Sequence, residues 1–97
     1  MTQDEEAKRR VELDRGLRAQ RIFEDDLFKD AVRLIREGYL KEFENSPITD
    51  ATPGMGDKMR LTARIKLAVL QDIVSKLHEH VQTGQMARED LARSRTN

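Results

Sequence analysis

Asp26-Leu27-Phe28-Lys29-Asp30-Ala31-Val32-Arg33-Leu34-Ile35-Arg36-Glu37-Gly38-Tyr39-Leu40-Lys41-Glu42-Phe43 is the stretch that decides the fold class. Its apolar side chains, Leu27, Phe28, Ala31, Val32, Leu34, Ile35, Tyr39, Leu40 and Phe43, recur in steps of three and four. That rhythm lays a wide apolar band along one side of an α-helix. Asp25 and Asp26 stand where acids complement the positive end of the helix dipole. Gly38 interrupts the run at a cost of about 1 kcal/mol relative to Ala, which a close helix crossing or a plain weak spot would explain. Ser46-Pro47 stops the helix, because proline disfavours the helical conformation of the residue before it.

Outward from that stretch the chain stays helical. A linker is expected over residues 46–57, since Ser46 to Asp57 holds both prolines and two of the five glycines. Twelve residues is long for a helix–helix connection, where about 2 to 8 is usual, so this segment reads as a mobile tip or a contact loop. A second long helix is predicted from a cap at Asp57 to about Thr83, with Leu61, Ile65, Ala68, Val69, Ile73, Leu77 and Val81 as its apolar row and Gly84 as its C-terminal cap. A short helix then follows, and residues 93–97 form a frayed tail. Upstream, residues 1–22 read as a charged helix or arm, opened by Thr2 with Glu5 three positions on. Its apolar stripe is narrow, and Glu5 with Arg9 and Asp14 with Arg18 sit at ion-pair spacing.

The fold predicted is therefore all-α: a long antiparallel helical hairpin within residues 23–92, plus an N-terminal helix, completed by oligomerisation or a partner. Its core is expected to hold Leu27, Ala31, Ile35, Tyr39, Phe43, Leu61, Ile65, Val69, Ile73 and Leu77. Two amphipathic helices of unequal length leave apolar surface open unless a third helix, a second copy or a partner covers it.

Composition narrows the function. At 97 residues there is room for one thin core. Charged residues make up 37%, as do hydrophobic ones, and aromatics only 4%, all within Phe23, Phe28, Tyr39 and Phe43. Eighteen basic side chains cancel eighteen acidic ones, so the field expected of a nucleic-acid binder is missing. The chain contains no cysteine, which suits a reducing compartment and excludes thiolate chemistry. Met1 leads into Thr-Gln-Asp-Glu-Glu, unlike a secretory start, and no run approaches the roughly 18 apolar residues of a membrane span. The expected compartment is cytoplasm.

Catalysis needs groups that converge, and none are evident. His78 and His80 are two positions apart, about 200° around a helix, where a shared metal needs spacing of three or four. Glu24-Asp25-Asp26 is accounted for by capping and the helix dipole. Pro53-Gly54-Met55-Gly56-Asp57-Lys58 misses the spacing of a phosphate-binding loop. No enzyme, metal, cofactor or small-molecule substrate is expected. The charge distribution says more: residues 22–46 carry four bases against seven acids, and residues 58–84 five bases against two acids. Lys58, Arg60, Arg64 and Lys66 are the candidate patch for phosphate or an acidic protein surface.

Arg18-Ala19-Gln20-Arg21-Ile22, Leu27-Phe28-Lys29-Asp30-Ala31, Glu37-Gly38-Tyr39, Asn45-Ser46-Pro47 and His80-Val81-Gln82-Thr83-Gly84-Gln85-Met86-Ala87 together resemble the short helical proteins of tailed phages and prophages encoded among head-assembly and DNA-packaging genes. The resemblance covers residues 15–92. It implies a small structural or assembly adaptor acting through protein–protein contacts, in the cytoplasm of a bacterial host or on a virion, with self-association or another phage protein as partner. A small-terminase-like nucleic-acid-binding module is the alternative, and a phage inhibitor of a host protein a further one. The usual small terminase carries a tight helix-turn-helix, and the long linker here departs from it.

Overall fold

A computed structural model describes residues 1–47 and 54–96, without the side chain of Thr96. Three helices make up the fold: α1 (Gln3–Glu24), α2 (Asp26–Glu44) and α3 (Met55–Thr96). No strand occurs among the described residues, so the protein is all-α, as its apolar rhythm predicts.

The helix ends follow from local chemistry. Thr2 is extended (φ −76°, ψ 165°), and its hydroxyl accepts a hydrogen bond from the Glu5 N–H at 3.1 Å, satisfying a donor that the first turn leaves open. Asp25 is the single non-helical residue between α1 and α2, and its N–H closes α1 on the Ile22 carbonyl at 3.2 Å. At the end of α2 the Ser46 hydroxyl donates to the Glu42 carbonyl at 2.8 Å, while Pro47 prevents continuation. Gly54, at φ +81°, supplies the left-handed turn that enters α3. The helix therefore starts at Met55, and Asp57, expected as its cap, lies in the first turn and pairs with Arg60. Residues 48–53 of the expected linker lie outside the described residues.

The chain divides into two compact units, residues 1–26 with 74–97 and residues 27–73, which cut across the expected division at residues 22, 23, 92 and 93. In the first unit α1 lies antiparallel to the C-terminal part of α3. Numbers rise on one helix as they fall on the other: Arg9 Nε meets Asp90 Oδ2 at 3.1 Å, Gly16 meets Gly84, and the Phe23 ring stacks on His78 with centroids 4.3 Å apart. At the crossing a Cβ on Gly16 would lie 2.7 Å from the Gly84 Cα and 2.8 Å from the His80 carbonyl oxygen. Only glycine fits there, because the obstructing atoms are backbone. Ala19, Ala87 and Leu91 are buried around it.

Gly84 therefore does not cap a helix at Thr83. α3 runs through it without a break, and neither a separate short helix nor a frayed tail over 93–96 is present. Gly38, the other candidate for a close crossing, has nothing within 4 Å of the place its Cβ would take. The expected pair Asp14–Arg18 is present at 3.2 Å. Arg9, in contrast, bonds Glu12 and Asp90 in place of Glu5, since α3 brings a second carboxylate within its reach. Its guanidinium is held above the usual arginine value, first by the hydrogen bond with Glu12.

The second unit is the hairpin of α2 and the first part of α3. Lys66 Nζ meets Glu42 Oε2 at 3.0 Å, and Arg60 donates to the Pro47 carbonyl at 2.9 Å. Ala63, Leu70 and Ser46 are buried here. Within this unit the inward side of α3 holds Ala63 and Leu70, which are seven residues apart and so only about 20° apart around a straight helix.

The expected core requires correction. Of its ten residues only Tyr39 and Leu77 are even half-buried, and Leu27, Ala31, Ile35, Phe43, Leu61, Ile65, Val69 and Ile73 are exposed. The reason is geometric. A row with a strict four-residue step turns about 40° per step, so Leu61, Ile65, Val69, Ile73 and Leu77 wind through about 160° and reach the inward side only at Leu77.

Gly16→Ala and Gly84→Ala should each destabilise the protein by about 1 to 3 kcal/mol, although Ala is the better helix former by about 1 kcal/mol. Leu91→Ala should cost about 2 to 4 kcal/mol, and Met86→Ala, at an exposed position, less than about 0.5 kcal/mol. Urea unfolding measures all four, and a stabilised Gly16→Ala would show that the helices do not meet at the glycines.

Candidate protein-docking surface

The basic patch expected at Lys58, Arg60, Arg64 and Lys66 does not assemble as one. At 100° per residue these positions divide between two sides of α3, Arg60 with Arg64 about 40° apart on one and Lys58 with Lys66 about 80° apart on the other. Two of the four are engaged within the chain. Arg60 bonds Asp57 and the Pro47 carbonyl, and Lys66 bonds both oxygens of Glu42 while lying 5.5 Å from the centre of the Tyr39 ring. Lys58 and Arg64 remain exposed on separate sides, too few and too divergent to track a phosphate backbone.

The histidines also have local roles. His78 stacks on Phe23 at an interplanar angle of 25°, and His80 is half-buried with its carbonyl at the glycine crossing. Among the described residues no group of three or more His, Asp or Glu side chains could hold a metal ion, and no helix is long and apolar enough to cross a membrane. On the outer side of α2 Arg33 bonds Asp30 and Glu37 at 3.3 Å, and these bonds, that with Asp30 first, keep its guanidinium above the usual arginine value.

The residues that do come together are apolar. Ile35 and Tyr39 of α2 and Ile65, Lys66, Val69, Leu70 and Ile73 of α3 line an open groove of about 280 Å³. A second opening of about 370 Å³ lies in the same unit between Glu42, Met55, Lys58, Met59 and Thr62. On α2 the band continues outward from Ile35 through Leu27, Ala31 and Leu34, with Leu27 at 80% and Leu34 at 58% exposure. Val69 and Ile73 are each more than half exposed. The amphipathic helix α2 buries none of its residues fully, which is unusual for a helix with so strong an apolar side.

This surface is built mainly from residues that the sequence assigns to the core. They were recognisable as one cooperating apolar set, but their level of burial was not, because a helical period marks a face without saying what covers it. The groove's only charged lining residue is already neutralised by Glu42. Its chemistry suits an apolar side-chain row on a helix of another protein. No known protein family, curated protein or solved structure matches this chain.

Proposed function

We propose that this protein is a structural or assembly adaptor of the tailed-phage or prophage type, which works by docking another polypeptide on the apolar face of its α2–α3 hairpin. One observation carries the reading: α2 has a continuous apolar side and no buried residue. Contiguous exposed apolar surface of this kind marks a contact site in a folded protein. The phage-type setting comes from the sequence resemblance, and it implies head assembly or DNA packaging in a bacterial host, on the virion or in the cytoplasm.

Catalysis has no part in this reading: the charged groups at the groove, Lys66 and Glu42, are closed on each other as an ion pair. The nucleic-acid alternative loses support from the dispersal of Lys58, Arg60, Arg64 and Lys66 around α3. Nothing in the geometry favours inhibition of a host protein over assembly.

A photo-crosslinking residue at Val69, with the same residue at Arg18 as control, tests the docking face in the producing cell. A discrete protein adduct is expected from position 69 and not from position 18. Equal or absent crosslinking at the two positions would sink the docking role. The purified chain should also show no saturable binding to duplex DNA at physiological salt. Binding with a log–log salt slope near −3.6, the value for about four phosphate contacts, would restore the nucleic-acid reading.

A further inference from the structure

We infer that the notch beside the Gly16–Gly84 crossing captures the C-terminal carboxylate of a polypeptide whose last residue carries a small branched aliphatic side chain. The notch lies wholly within the first unit, and the inference does not depend on the docking face proposed above.

The notch follows from the two glycines. With no side chain at either position, the touching backbones leave beside them an open space of about 150 Å³. Leu13 and Leu17 of α1 and Val81 of α3 form its walls, and Gln20, Gln85 and Arg88 form its polar part. A cavity of that volume accommodates a six-carbon ring, which is the number of non-hydrogen atoms in a carboxylate and an isopropyl group together. An aromatic or long side chain would leave no room for the carboxylate.

Charge selects the anion. No Asp or Glu lines the notch, and Arg88 is its one charged lining residue. Among the described residues Arg88 makes no hydrogen bond or ion pair. Elsewhere the cations at surface openings are matched, Arg10 by Glu6 and Lys66 by Glu42, while Lys58 shares its opening with a carboxylate. The positive charge of this notch is therefore uncompensated. A guanidinium meets a carboxylate in two parallel N–H···O bonds, and Gln85, three positions earlier on the same side of α3, brings an amide donor to the same place.

Gln20 favours a chain end over a free acid. Its side-chain amide donates to Glu24 Oε1 at 3.1 Å, which leaves its carbonyl oxygen to accept. The last residue of a polypeptide has a backbone N–H to give there, and a free carboxylic acid has none. Each polar group of a chain end thus meets its complement, and the branched side chain meets the leucines and the valine.

Titration of the ¹⁵N-labelled full chain with the acetylated peptide Ala-Ala-Val is the test, read at the backbone amides of Gly16 and Gly84. A saturable shift of both signals is expected, with a Kd of about 1 mM or below for so small a seated group. Binding should weaken by at least about tenfold in Arg88→Gln, and by as much for the wild type when the peptide ends in an amide. Isovalerate, which lacks the N–H, should bind more weakly than the peptide acid. Arg88 is exposed, so the helical circular dichroism of its variant should be unchanged, and Arg64→Gln, at an exposed position in the other unit, should bind as the wild type does.

The absence of a saturable shift at both glycines up to about 20 mM peptide overturns the site. Equal binding of acid and amide, or an unchanged Kd in Arg88→Gln, overturns the carboxylate as the recognised group. A loss in Arg64→Gln equal to that in Arg88→Gln reduces the effect to general charge and overturns the inference as well. Isovalerate binding as tightly as the peptide acid overturns the polypeptide as the source of the carboxylate.

Discussion

Each unit of this fold depends on a short inward stretch of α3, which holds Gly84, Ala87 and Leu91 in the unit with α1 and Ala63 and Leu70 in the unit with α2. Side chains as small as those of Gly84 and Ala63 let a neighbouring helix come close, and leucines fill the space beside them. In each unit the short helix owes its placement to α3 and not to a large core. Fully buried large side chains are correspondingly absent among the described residues.

The same packing explains why the outer apolar residues stay outside. Once α3 has turned its small residues and Leu70 toward α2, Ile65, Val69 and Ile73 are carried around to the flank by helical geometry. They are too numerous to be incidental, and α2 mirrors them with Leu27, Leu34 and Ile35. A single hairpin has only one interior, whereas these helices carry two apolar sides each. The second side is the face proposed above for docking, and its Lys66–Glu42 pair, closed within the chain, leaves no charge there to be matched.

How much of this could be read from the residues alone differs by feature. Helical class, the Thr2 cap, the break near Asp25 and the stop at Ser46-Pro47 were legible, because each rests on short-range chemistry. The Asp14–Arg18 pair was legible for the same reason. Gly84 was not: a glycine after an apolar run signals a cap when its neighbours alone are considered, and only the approach of Gly16 from α1 reveals a crossing. The core is only partly legible, because a four-residue spacing points Ile65, Val69 and Ile73 inward whereas the buried residues, Ala63 and Leu70, are seven apart. For the docking face the set of residues was legible, and its exposure was not. The four cations do not form one patch because positions two apart, Lys58 with Arg60 and Arg64 with Lys66, point in nearly opposite directions on a helix.

The contact between Gly16 and Gly84 also bears on how this sequence can change over generations. Any single base change that replaces glycine by another amino acid introduces a Cβ, and the crossing has no space for one. Neither position can therefore be relaxed by the other, since each obstructs the other's backbone and no exchange of volume between them is available. The exposed charged positions elsewhere are tolerant of replacement. Distant descendants of this chain could thus lose nearly all recognisable sequence and still be identified by two glycines sixty-eight positions apart in the chain.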